Sequence, residues 1–262
     1  MNKKNTSWGG VADWYENLLG GEGIYQKNVI LPNLLRLLDI KKGEVILDLA
    51  CGQGFFAKEF SKKGAKVIGA DIAKELIDLA NKGISGKDKA GLQFRVAPAD
   101  DLDFLSGKSA DKITLVLAIQ NMENVNGVFK ECARVLKSGG KIFLVMNHPA
   151  FRNPKESSWG WDAENKIQFR RIDSYLSESK VKIQMHPGEQ ANEYTLSFHR
   201  PLQFYFKALN KNNFSVCRLE EWVSNKKSEP GPRAAAENRA RSEFPLFLFL
   251  EAQVSNEFKM VL

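Results

Sequence analysis

Residues 45–60, VILDLACGQGFFAKEF, limit what this chain can fold into more than any other stretch. Val45, Ile46, Leu47 and Leu49 form a short β-branched and apolar run, the composition of a buried strand. The run stops at Cys51-Gly52-Gln53-Gly54, and the residues from Phe55 to Phe60 open a helix. Strand, glycine turn and helix in that order let backbone approach a ligand closely at the turn. A lone G-x-G says little, so the reading rests on its surroundings.

Those surroundings are acidic. Asp48 lies just before the glycines, where a dinucleotide site would hold a pyrophosphate against backbone N–H groups and a helix N-terminus. A carboxylate there opposes NAD but suits a ligand with an ammonium and a sulfonium. S-adenosylmethionine (SAM) carries both and no phosphate. The run Lys66-Val67-Ile68-Gly69-Ala70-Asp71 reads as the second strand and ends in an acid 17 residues after Gly54. An acid at that point can accept from both ribose hydroxyls.

DLACGQG followed by VIGADI resembles the first two motifs of the class I SAM-dependent methyltransferases. The resemblance runs from about Trp8 to Leu219 and extends to RVLKSGGK. It implies a Rossmann-like α/β fold with a seven-stranded, mostly parallel sheet and helices on both faces. It also places Asp48, Ala50, Cys51, Gly52, Gly54, Asp71 and Ile72 around SAM. In the family, N-terminal helices fold over the cofactor, and an aromatic such as Tyr15 caps its methionine end. An acid after strand three holds the adenine amino group. Asp100 is the first choice for that role, with Asp101 the alternative, although adjacent acids also serve as helix caps. Gln120 and Asn121, after strand four, resemble residues that touch the methionine moiety.

The pattern along the chain agrees. Strands at 45–49, 66–71, 92–97, 111–118 and 141–147 alternate with helical spacing at 73–82 and 125–136, which is the signature of a parallel sheet. Pro32 and Pro201 are placed to start helices. Stretches 167–172, 181–185 and 194–198 alternate and suggest a small antiparallel lid. Stretches 216–222 and 245–254 read as a final antiparallel strand pair, with a possible helix in AAAENRAR between them. The expected division of this single domain is 1–42 for helices over the cofactor and 43–147 for the SAM-binding core. The lid insertion takes 148–200, and the last helix and strand pair 201–262.

Methyl transfer from a sulfonium needs alignment and dryness, and a base only when the acceptor must lose a proton. His148, after strand five, and His199, between lid and helix, are the expected candidates at the correct end of the sheet. Either can equally be a hydrogen-bonded structural histidine, and Glu123 is a weaker third candidate. Residues 143–222 hold 13 of the 27 aromatics, which fits a lid over an apolar or planar small molecule. That lid region resembles bacterial and archaeal small-molecule methyltransferases, so O-methylation of a small organic acceptor is expected, with N and C open. The alternatives are an RNA or protein methyltransferase, or a SAM-binding regulatory protein without turnover.

Composition narrows the rest. The net charge of +7 invites nucleic acid, but the excess is spread through the chain and forms no basic block, so nucleic acid is not favoured. Cys51, Cys132 and Cys217 lack metal or disulfide spacing, so no metal site is expected. Neither a membrane span nor a signal peptide is visible, and a cytoplasmic protein is expected. Oligomeric state is left open.

Overall fold

The computed structural model describes residues 21, 23–84, 91–184 and 194–255. Tyr15, expected to cap the cofactor's methionine end, therefore lies outside the described residues. A π-helical turn, Gln26–Ile30, leads into α1 (Leu31–Leu38), with Pro32 in its first turn and Leu34 and Leu38 buried. Then follow β1 (Val45–Leu49), α2 (Phe55–Lys62), β2 (Lys66–Asp71), α3 (Lys74–Lys82) and β3 (Leu92–Val96). The chain returns as β4 (Ala110–Val116), a short 3-10 turn at Ile119–Asn121, α4 (Val125–Val135) and β5 (Leu136–Asn147).

The central sheet has the order β10-β11-β5-β4-β1-β2-β3, where β10 is Phe214–Trp222 and β11 is Phe247–Val254. β1 pairs in parallel with β2 and β4, and β4 with β5, while β11 runs antiparallel to both neighbours. From β1 the chain winds outward through β2 and β3, then returns to lay β4 on the other side of β1. The carboxyl ends of β1 and β4 thus flank the point where the strand order reverses, which is where open α/β sheets bind ligands.

Strand alternation splits the core into two layers. Leu47, Ile113, Leu144 and Leu250 point to one face with Phe129 of α4 and Leu209 of α5 (Leu202–Lys211). Ile46, Phe143, Val145 and Phe249 point to the other with Leu34, Phe56 and Phe60. Helices therefore cover both faces, as the near-continuous apolar strands require.

The small antiparallel insertion expected after β5 takes the form of two separate hairpins: β6 (Ser157–Asp162) with β7 (Ile167–Ile172), and β8 (Ser179–Gln184) with β9 (Tyr194–His199). β6 is read poorly from sequence because Ser-Ser-Trp-Gly-Trp-Asp puts a glycine mid-strand. Gly160 is needed there, since a Cβ would lie 2.3 Å from the ring of Phe169, its cross-strand partner. α6 (Ala234–Glu243) packs on β7, whereas β9 packs on the 3-10 turn after β4.

Candidate active site

Two cavities lie at the reversal point. A wide one of about 600 Å³ runs from Ala50, Asp71 and Asp100 to Tyr194, Leu196 and Phe198 of β9. A narrower one of about 150 Å³ is walled by Asp48, Cys51, Gly52, Phe55, Phe56 and Leu117. They share Ala50, Asp71, Ile72, Asn121 and Met122 as walls. Neither is lined by a described Lys, Arg or His.

Asp48 is 2% exposed. The β1–β4 register sets it opposite Thr114, whose hydroxyl donates to Oδ1 at 2.7 Å. Oδ2 has no hydrogen-bond partner among the described residues. Burial pushes this carboxyl up to about 7, with Thr114 pulling down and the Asp71 charge pushing further up. A buried carboxylate oxygen left open beside a cavity is a vacant acceptor for a cationic or hydrogen-bonding ligand.

Asp71 ties the glycine turn to the end of β2. The Gly52 and Ala73 backbone N–H groups donate to its two oxygens, each at 2.9 Å. Burial raises its carboxyl, and these backbone donors work against that rise. Each oxygen keeps a further lone pair. Just past β1 and β4, Ala50 and Leu117 both have left-handed backbone, at φ 52° and 54°. Such non-glycine conformations cost about 1–3 kcal/mol each and gather at functional sites. Here both border the narrow cavity. Gln120 braces this turn by donating to the Leu117 carbonyl at 2.7 Å, and its own Oε1 is buried without a partner among the described residues.

The structure separates residues that the sequence grouped together. Asp100 lines the wide cavity and accepts from Asn124 Nδ2 at 2.9 Å, while that amide's oxygen caps α4 through Gly127 N–H. Asp101 is exposed and outside both cavities. Asn121 borders both, whereas Gln120 lines neither. Gly54 also lies off the cavity walls. Its φ of 78° opens α2, and a Cβ on it would come 2.3 Å from the Phe94 ring. Cys51 is buried, and burial holds its thiol well above the usual range.

Neither histidine faces a cavity. His148 Nδ1 accepts from the Ala150 and Phe151 N–H groups at 3.2 and 3.4 Å, which leaves Nε2 to donate to Glu221 at 2.7 Å. Burial lowers its basicity against the pull of Glu221. His199 Nε2 donates to the Tyr175 carbonyl at 2.8 Å. The His148 ring fastens the segment after β5 to β10, and the His199 ring ties β9 to the Tyr175 segment that precedes β8. Chain position puts them at the correct edge, but ring direction is decided by backbone partners that a linear sequence does not display. Glu123 does line the wide cavity, with its side chain 74% exposed and paired to Lys180 at 3.1 Å.

Arg200, next to His199, supports the cavity loop and was passed over in the sequence reading. It is 5% exposed and donates to the Met122 and Glu123 carbonyls at 2.9 and 3.0 Å. Its guanidinium lies 4.7 Å from the Phe198 ring and 5.0 Å from that of Phe204. It fastens the cavity loop after β4 to the end of the β8–β9 hairpin. The run Phe198-His199-Arg200-Pro201 was the available signal, a cation between an aromatic and a helix start.

Residues 47–144 match the family model described as a methyltransferase domain. An S-adenosylmethionine-dependent methyltransferase from Mesorhizobium loti superposes with a TM-score of 0.69 at 26% identity, covering 85% of this chain and 96% of that one. An uncharacterized protein from Haemophilus influenzae is 29% identical over 230 residues, 85% of each chain. A ubiquinone biosynthesis O-methyltransferase from Xanthomonas oryzae is 31% identical over 103 residues, 39% of this chain. That match spans 42% of the relative's own length.

Proposed function

We propose, for a chain that belongs to the class I S-adenosylmethionine-dependent methyltransferase family, that it transfers a methyl group from SAM to a small organic acceptor. The observation that carries this reading is the Oδ2 of buried Asp48, without a partner among the described residues, beside a cavity lined by no described Lys, Arg or His. The residues present fit SAM. A cationic group is what the vacant carboxylate lacks, and a phosphate-bearing ligand would find no basic side chain among the described cavity walls to neutralise it. When bound, SAM supplies an electrophilic methyl on a sulfonium.

In this reading Asp71 accepts from the ribose hydroxyls with its remaining lone pairs while it keeps the glycine turn in place. Asp100 accepts from the adenine amino group, oriented by Asn124. Ala50, Cys51, Gly52 and Ile72 form the cofactor's walls, and Asn121 takes the methionine moiety. Gln120 acts at one remove by fixing the Leu117 turn. Phe55, Phe56 and Leu117 keep the narrow cavity apolar and exclude water, which strengthens the Asp48 interaction. Arg200 fixes the loop that forms the floor of the wide cavity.

Oxygen is the acceptor atom we favour, in line with the O-methyltransferase name of the Xanthomonas relative. The proposal assigns no proton transfer to His148 or His199, because neither ring reaches a cavity wall. The test is transfer of labelled methyl from SAM into a cell extract split into small-molecule, RNA and protein fractions. Label in the organic-soluble fraction supports the reading. Label in nuclease- or protease-sensitive material overturns the acceptor class and leaves the cofactor assignment standing.

A further inference from the structure

A third cavity, of about 240 Å³, opens on the same edge of the sheet, beside the carboxyl end of β5 and the start of β11. Arg152, Arg170 and Arg241 line it together with Tyr25, Phe151 and Trp159. No Asp or Glu among the described residues does so. Three guanidinium groups lining one cavity with no described carboxylate beside them repel one another, a cost that solvent screens at exposed Arg152 and half-buried Arg170 and Arg241 and that a bound anion would relieve.

The three arginines are not equally committed to the fold. Arg170 donates Nε to the Phe151 carbonyl at 2.8 Å and Nη2 to Ser157 Oγ at 2.7 Å, and stacks 5.1 Å from the Trp159 ring. Arg241 donates Nε to Ser228 Oγ at 3.2 Å and makes no other described side-chain hydrogen bond. The Arg152 guanidinium makes no described hydrogen bond or ion pair and rests 5.9 Å over the Phe247 ring. Arg152 keeps open surface, yet enough protein crowds it that lost hydration pulls it below the usual arginine range. Lost hydration lowers Arg170 too, and the Arg152 charge adds to that. An arginine placed for structure would spend its N–H groups on backbone carbonyls, as Arg200 does. Arg152 instead lines the cavity with no such described partner.

Shape supplies the second half of the argument. The aromatic walls form an apolar slot, and Trp159 meets Phe244 edge-on at 5.5 Å at its rim. Tyr25 and Leu246 of this cavity belong to the same apolar cluster as Phe55, Phe56 and Leu117 of the narrow cavity. One continuous apolar layer therefore borders both. A fork of guanidinium donors matches the geometry of carboxylate and phosphate oxygens.

We propose that this cavity binds the anionic group, a carboxylate or a phosphate monoester, of an aromatic or apolar acceptor. The proposal rests on the methyl-transfer reading for the word acceptor, and not for the anion site itself. The aromatic walls take the ligand's ring, and Arg152 and Arg241 take its charge while Arg170 holds the Phe151 turn.

The experiment is calorimetric titration of the full chain with benzoate, phenyl phosphate and the neutral isostere benzamide, for the wild type and Arg152→Gln. At least one anion is expected to bind wild type tenfold or more tightly than benzamide, and the preferred anion identifies the head group. Arg152→Gln should lose most of that preference, with its SAM affinity within twofold of wild type and its unliganded melting temperature not lowered. Because the Arg152 side chain makes no described hydrogen bond, loss of anion binding in a stable, SAM-binding variant cannot be assigned to misfolding. Benzamide binding as tightly as the anions, no binding of any probe, or equal anion affinity in both proteins would overturn the proposal. Failure of the wild type to bind SAM would sink the methyl-transfer reading by a separate readout.

Discussion

Asp48→Asn separates the charge of Asp48 from its shape. In the folded chain burial pushes this carboxyl up to about 7, against 3.8 for an ordinary aspartate. At about 1.4 kcal/mol per unit, ionised Asp48 costs the folded chain about 4 kcal/mol at alkaline pH. The sign follows from proton counting. Between about pH 4 and pH 7 the folded chain holds a proton that the unfolded chain has released, so stability falls as pH rises through that window. Asparagine keeps the acceptor for Thr114 and removes the titration. Its amide, set where Oδ2 now lacks a partner, costs about 1–3 kcal/mol at every pH. The absolute gain is thus partly offset, but its pH dependence is not. From pH 5 to pH 8.5 the stability difference between variant and wild type should move by about 3 kcal/mol in the variant's favour. Urea unfolding of both proteins at the two pH values measures this, and SAM affinity at pH 8.5 should fall at least tenfold in the variant. Parallel pH profiles would refute the reasoning, because they would mean that Asp48 is not a desolvated acid in the unliganded chain.

Five further substitutions probe the neighbouring parts. Asp71→Ala should weaken SAM binding more than tenfold, read by calorimetry. His148→Gln and His199→Gln should each lower stability by about 1–3 kcal/mol through lost buried hydrogen bonds, with SAM affinity within twofold of wild type. A selective collapse of turnover at unchanged stability would instead return a catalytic role to either ring. Arg200→Ala should free the Met122–Glu123 loop, raising KM for the acceptor or lowering turnover while SAM affinity changes little. Gly69→Ala places a methyl 2.4 Å from the Phe94 ring and 2.9 Å from Cys51 Sγ, so thermal unfolding should report a loss of about 1–3 kcal/mol.

What could be read from the sequence was local. Asp48, the glycine turn and Asp71 lie within one strand–helix–strand unit, so their relative placement follows from the backbone path alone. Parallel strands one to five and the final antiparallel pair announce themselves as apolar runs. The partnership of Asp48 with Thr114 was hidden, because it depends on the register between β1 and β4, strands 66 residues apart in the chain. His148 and His199 were placed at the right edge of the sheet, yet their rings turn to Glu221 and to Tyr175, contacts set by packing of the connecting segments. The arginine cavity collects residues from five separated stretches, none of which forms a basic run. Its charge was invisible to composition because the surplus of +7 looks evenly diluted along the chain.

Direct titration of SAM into the purified chain and into Asp71→Ala tests the central claim. The account predicts one binding site per chain in the wild type and at least a tenfold weaker one in the variant. No binding to the wild type, or equal affinity in the two proteins, would contradict it.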